Sequence, residues 1–202
     1  DGQQYEDQWG NILKLTPQPN TFQTFFNTEK QMVNNLSLEG GNENVNYRLA
    51  YSNTNINGYV PTNTLARNNI SLRTVAKVTS KLEADVKVNY IAQAGVNRPT
   101  VSDAADNPAY IFISQPRSIP MDILANSAWT AEDVAKQLGY GTTPFVGLEK
   151  TYATNSSTAN PYWTMSRTRN TDDRRRIIGL IRLSYQFNDW VRLTARTGTD
   201  FY

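Results

Sequence analysis

The sequence predicts an all-β fold: an antiparallel, up-and-down sheet of about six strands, each with one apolar and one polar face. Three observations predict it. Segments such as Val45, Tyr47, Leu49 and Tyr51 alternate with Asn46, Arg48, Ala50 and Ser52, and a period of two puts each set on its own side of a strand. The connections between these segments are alternately short and long. Tyr185, Phe187 and Trp190 gather around one of the short turns.

The first strand is expected over 33–40, with Asn34, Leu36 and Leu38 on one face and Asn35, Ser37 and Glu39 on the other. Gly40, Gly41, Asn42, Glu43 and Asn44 form a turn, where Gly and Asn are expected to supply positive φ. The second strand follows over 45–55, then a longer connection with Gly58, Pro61 and Asn63. The third, 68–78, sets Ile70, Leu72, Thr74 and Ala76 against Asn69, Ser71, Arg73 and Lys77. Thr79, Ser80 and Lys81 turn the chain into the fourth, 82–92, with Leu82, Ala84, Val86, Val88 and Tyr90 against Glu83, Asp85, Lys87 and Asn89. The pattern resumes at 176–187, turns at Asn188-Asp189, and ends in a strand starting at Trp190.

Composition removes several classes of function. The chain of 202 residues has no Cys and no His, so thiol chemistry, a His-based triad and His metal ligands are all excluded within it. A formal net charge of +2 gives no electrostatic case for nucleic acid. No nucleophile–base pairing stands out, since Glu83 and Asp85 share their face with cations, and no catalytic role, cofactor or metal is expected. Asp103, Asp106 and Asn107 lack the spacing of a calcium loop. No apolar run approaches the roughly 20 residues of a spanning helix, but a spanning strand needs only about 9–11, alternately apolar.

Two architectures fit this pattern. A soluble β-sandwich, as in a binding or adhesion domain, buries its apolar faces against each other. A transmembrane β-barrel turns them to lipid, keeps polar residues inside, and joins strands by short turns on one side and long loops on the other. In the barrel, Arg48, Arg73, Lys87, Arg182 and Arg192 face the lumen and Leu49, Leu72, Val86, Val88, Ile181, Leu183 and Leu193 face lipid.

The pattern lapses over about 97–175, too long a stretch for a simple reversal. Asn107-Pro108 has the form of an N-cap and first helical residue for a helix over 108–114. Thr130 can cap another over 131–138, with Glu132 and Asp133 in its first turn and Gly139 at its end. Aromatic residues are frequent here. Trp129, Tyr140, Tyr152, Tyr162 and Trp163 are the candidate ligand-binding residues, because rings suit amphipathic ligands, although packing of the loop's own core or against a partner protein is the favoured reading of any one of them. Arg167, Arg169, Arg174, Arg175 and Arg176 surround Asp172 and Asp173, which favours mutual ion pairing over binding of lipopolysaccharide phosphate.

The blocks Asn34-Asn35-Leu36-Ser37-Leu38-Glu39-Gly40-Gly41-Asn42-Glu43, Tyr47-Arg48-Leu49-Ala50-Tyr51-Ser52, Gly58-Tyr59-Val60-Pro61, Arg67-Asn68-Asn69, Pro116-Arg117-Ser118-Ile119, Asn160-Pro161-Tyr162-Trp163-Thr164, Asp172-Asp173-Arg174, Ile178-Gly179 and Gly198-Thr199-Asp200-Phe201-Tyr202 span nearly the whole chain. Together they are similar to the SusC/RagA family of TonB-dependent outer-membrane transporters. The resemblance implies a part of a barrel of roughly 22 strands. Residues 1–32 would be extracellular loop, 33–96 four strands, 97–175 a long extracellular loop and 176–202 two strands, with the plug domain absent and both ends inside a longer polypeptide. It also implies an importer in the outer membrane of a Gram-negative bacterium of the Bacteroidetes type. Such an importer takes up oligosaccharides or peptides with a SusD-like lipoprotein and is energised by the TonB complex through a region outside this chain.

Overall fold

The computed structural model describes residues 2–7, 12–136, 146–150 and 159–202. The expected helical residues 137–138, Gly139, and the candidate residues Tyr140 and Tyr152 lie outside these. The chain forms two compact units, one of 1–28, 58–63 and 97–170, the other of 29–57, 64–96 and 171–202.

The first unit contains a short antiparallel hairpin, β1 (Gln4–Glu6) with β2 (Ile12–Lys14), and the helices α1 (Thr21–Phe25), α2 (Pro108–Ser114), α3 (Met121–Ala125), α4 (Ala131–Lys136) and α5 (Pro161–Arg167). Its core is Phe25, Phe112, Ile119 and Leu124, with Phe26, Met121, Tyr162 and Met165 packed against them. The rings of Phe25 and Tyr162 meet edge to face at 5.0 Å, and Phe25 and Phe112 are 4.8 Å apart. Such pairs contribute about 0.5–1.5 kcal/mol beyond the area they bury.

Asn160 holds the polar interior of this unit. It is 1% exposed. Its Nδ2 donates to the carbonyls of Leu124 and Lys150, both at 3.0 Å, while its Oδ1 accepts from the backbone N–H groups of Tyr162 and Trp163 at the start of α5. One amide therefore caps a helix and closes two distant carbonyls. The Asn107-Pro108 cap is repeated on α2, where Asn107 Oδ1 accepts from Ala109 N. α4 begins with a reciprocal box: Thr130 Oγ1 accepts from Asp133 N, and Asp133 Oδ2 accepts from Thr130 N and Oγ1.

The second unit is one six-stranded antiparallel sheet, β3 (Lys30–Gly41), β4 (Val45–Asn57), β5 (Thr64–Lys77), β6 (Leu82–Val96), β7 (Thr171–Asn188) and β8 (Val191–Phe201), each hydrogen-bonded to the next in sequence order. The strands extend past the expected limits, mostly at the end where the long connections leave. There Asn57 pairs with Thr64, so on β4 and β5 the backbone ladder continues where the apolar alternation has ended.

All three short turns use one device. Asn42 Oδ1 accepts from the N–H groups of Asn44 and Val45, Thr79 Oγ1 from Lys81 and Leu82, and Asn188 Oδ1 from Trp190 and Val191. In each, a side chain takes the N–H groups two and three residues on, a local mimic of a backbone turn. This corrects two expectations. Gly40 and Gly41 do not have positive φ. Gly41 is required by close approach, since a Cβ there would lie 2.5 Å from the Val45 carbonyl oxygen, whereas one on Gly40 would meet the tip of the Tyr47 side chain, which must then shift. The last turn is Asp189-Trp190 rather than Asn188-Asp189, because a register shift at Phe187 leaves Asn188 paired with Val191.

Replacing Asn160 by Ala removes a cap and leaves two buried carbonyls without their donor. We expect it to destabilise the first unit by about 2–4 kcal/mol. Hydrogen exchange in α5 and around Leu124 measures this, with the amides of β5 and β6 unchanged.

Candidate functional site

The sheet register sorts side chains into two faces. On one face, cross-strand rows run Leu38–Leu49–Leu72–Val88–Gly179 and Leu36–Tyr51–Ile70–Tyr90–Ile177–Phe201, and beyond them Val86–Ile181, Ala84–Leu183 and Tyr185–Leu193. Every member of the set Leu49, Leu72, Val86, Val88, Ile181, Leu183 and Leu193 lies on this face, as expected. Leu36 is 73% exposed and Leu193 60%, and Leu72 and Ile181 are over two-fifths exposed, so the face is uncovered.

Its apolar character is limited in length. On β7 it covers nine residues, Ile177–Tyr185, whereas on β6 it runs on past Tyr90 through the smaller Ala92, Ala94 and Val96. One border carries Tyr51, Tyr90 and Phe201 in a single row. At the other border are Tyr185 and Phe187, ring centroids 4.8 Å apart, with Trp190 in the adjoining turn. Past the first border the next row reads Asn34–Asn53–Asn68–Ala92–Arg175, polar on every strand but β6. Asn68 Oδ1 there accepts from Tyr51 Oη at 2.7 Å and Asn53 Nδ2 at 2.9 Å.

The opposite face gathers the five cationic residues expected on it, Arg48, Arg73, Lys87, Arg182 and Arg192. Arg48, Arg73 and Lys87 stand directly abreast across three strands. Like charges opposed in this way repel, and carboxylates relieve part of the repulsion. Arg48 pairs with Glu39 at 3.1 Å. Arg73 grips Asp85 with two bonds, at 3.1 and 3.0 Å, and Arg182 reaches Asp85 at 3.2 Å and Glu83 at 3.6 Å. Arg192 donates to Gln186. Glu83 and Asp85 are thus held as ion-pair partners. Asp85 is the only one of these carboxylates that is buried, beneath the guanidinium groups that bind it.

In the first unit, the ring of Trp129 lies 5.4 Å from Lys150 Nζ, and Arg167 covers the ring of Trp163 at 4.9 Å. Tyr162 is part of the core, and burial raises its phenol pKa. The three described ring candidates therefore sit in three separate settings, each with a partner inside the unit. Lys150 is itself buried and bonds Asp133 at 2.6 Å. Burial pushes the Asp133 carboxyl up, but the bonds from Lys150 and Thr130 outweigh it and hold the group below its ordinary value. Asp172 and Asp173 pair with Arg174 and Arg175, the ion-pairing alternative for that cluster. Among the described residues no group of three or more acidic side chains could hold a metal ion.

The cross-strand contacts were hidden from sequence reasoning. Arg176 pairs with Asp200, 24 positions away. Arg67 donates two bonds to Gln93 Oε1 at 3.0 and 2.7 Å. Only the register brings these residues together. Neither a known protein-family model nor a curated protein matches this chain.

A double-mutant cycle of Arg73→Ala and Asp85→Ala should give a favourable coupling larger than the same cycle at Arg48 and Glu39. That exceeds an ordinary surface pair, because the contact is bidentate and its carboxylate is buried. Equilibrium unfolding of the two single variants and the double variant supplies the value.

Proposed function

We propose that this chain is a section of the wall of a transmembrane β-barrel, part of an outer-membrane importer of oligosaccharides or peptides. The observation that carries the proposal is the uncovered apolar band: nine residues long on β7, bordered by aromatic side chains, and followed beyond one border by Asn34, Asn53, Asn68 and Arg175 on four of the five strands in that row. A membrane-spanning strand needs about 9–11 residues and carries aromatic girdles at both interfaces. A soluble sheet has no reason to end its apolar face while its ladder continues, and it rarely leaves such a face open. No helix of the described residues is long and apolar enough to cross a membrane, which says nothing about crossing by strands.

The finer assignment rests on the sequence blocks that resemble SusC/RagA transporters. Under it, the face with Arg48, Arg73, Lys87, Arg182 and Arg192 lines a wet lumen, and the unit containing 97–170 is extracellular, contacting a SusD-like lipoprotein or lining the chamber beneath it. The TonB complex acts through a part of the polypeptide outside this chain, in the outer membrane of a Gram-negative bacterium. The chain has no catalytic role in this proposal. The open edges of β3 and β8 fit the same assignment, since in a longer polypeptide further strands would pair with them.

Detergent dependence tests the membrane half of the proposal. The chain should need detergent or lipid to stay dispersed and folded, as followed by circular dichroism and sedimentation. A folded monomer in plain buffer would instead support the soluble β-sandwich of a binding or adhesion domain.

A further inference from the structure

A recess of about 230 Å³ opens in the first unit, between α1, the end of α2 and α3. Its floor is the unit's own core, Phe112, Ile119 and Leu124, and the exposed side chains of Phe22 and Ile113 stand on its rim. We propose that this recess binds the last residue of a peptide that ends in an apolar side chain, with the side chain on the floor and the terminal carboxylate at Arg117.

The apolar half of the proposal comes from the floor and the rim. A leucine or phenylalanine side chain laid there takes apolar surface out of water on both partners. A sugar laid there would press its hydroxyls against Phe112, Ile119 and Leu124, which offer them no hydrogen-bond partner. Sites for drug-sized ligands run from about 300 to 1,000 Å³. A recess smaller than that takes a single residue rather than a longer stretch of chain.

The charge half comes from Arg117. Among the described residues lining the recess it is the one charged side chain, and none is acidic. Its backbone is held from two directions. Gln18 N donates to the Arg117 carbonyl at 2.7 Å, and Ile119 N donates to the Pro116 carbonyl at 3.3 Å, closing a turn around it. Its side chain is exposed, and its guanidinium meets no carboxylate among the described residues. In this it differs from Arg73 and Arg176, whose forks are taken up by Asp85 and Asp200. The planar fork of N–H donors on Arg117 is therefore open to an oxyanion. The end of a peptide supplies a carboxylate one carbon away from an apolar side chain, which is the spacing that a cation beside an apolar floor requires. The partly exposed amide of Gln18 lines the same recess and suits the peptide link that precedes the last residue.

The recess lies within the first unit, so the proposal goes beyond the barrel wall, and detergent dependence does not bear on it. The test is titration of the full chain, in micelles or in buffer as its folding requires, with N-acetyl-leucine, its amide, N-acetyl-glycine and hexanoate, followed by backbone amide chemical shifts. N-acetyl-leucine should bind about tenfold more tightly than its amide, which lacks the charge, and than N-acetyl-glycine, which lacks the side chain. It should also bind more tightly than hexanoate, which lacks the peptide link. The largest shifts should fall at Phe22, Ile113 and Arg117. Arg117→Gln, at an exposed position, should lower N-acetyl-leucine to the level of its amide with the circular dichroism unchanged. Equal binding of the amide, or undiminished binding by the variant, overturns the charge half. Equal binding of N-acetyl-glycine overturns the apolar half, and equal binding of hexanoate overturns the peptide in favour of a fatty acid.

Discussion

The sheet depends on register. A β-strand repeats every two residues, so a slip of one position carries each side chain to the opposite face. For β6 such a slip would exchange Val86 and Val88 for Asp85 and Lys87, and would undo the fork between Arg73 and Asp85. In lipid, each misplaced charge costs up to about 2–4 kcal/mol near the midplane. Register is fixed from the short turns outward. Asn42, Thr79 and Asn188 each bind the two N–H groups that would otherwise lie open, and Gly41 lets the Val45 carbonyl approach. From those turns the ladders run without interruption, save at Phe187.

The unit built from the long connections is organised differently. Its described residues form five short helices and a small aromatic core, and a buried amide, Asn160, links the end of α3 to the start of α5. Buried Lys150 pairs with the partly exposed Asp133, and the ring of Trp129 lies beside the Lys150 ammonium group. In this unit Phe112 and Tyr162 serve its own stability, and Trp129 and Trp163 each stack on a cation, so recognition would have to use the edges and polar tips these contacts leave free.

Much of the sheet was legible in the sequence because alternation is a local property. The faces of all six strands followed from it, as did the helices α2 and α4, which carry caps readable as Asn-Pro and Thr-x-x-Asp. α1 and α3 have no side-chain cap bond and were not anticipated. α5 does carry the Asn-Pro signal, at 160–161, and the rule applied at 107–108 would have found it. The strand ends were underestimated because a backbone ladder does not need an apolar face. The cross-strand contacts of the polar face were illegible for a different reason: Arg67, Gln93, Arg176 and Asp200 are neighbours only through register, and no local pattern encodes a partner 24 or 26 positions away.

In the proposed barrel wall, the apolar face with its aromatic borders meets lipid and the face of charged side chains meets water. The central claim is that Leu72 meets lipid while Arg73, its neighbour in sequence, meets water. Spin labels placed singly at these two positions in the bilayer-reconstituted protein test it most directly. The account predicts that the label at 72 relaxes with oxygen and the label at 73 with a water-soluble nickel complex. Two water-accessible labels, or the reverse assignment, would contradict it.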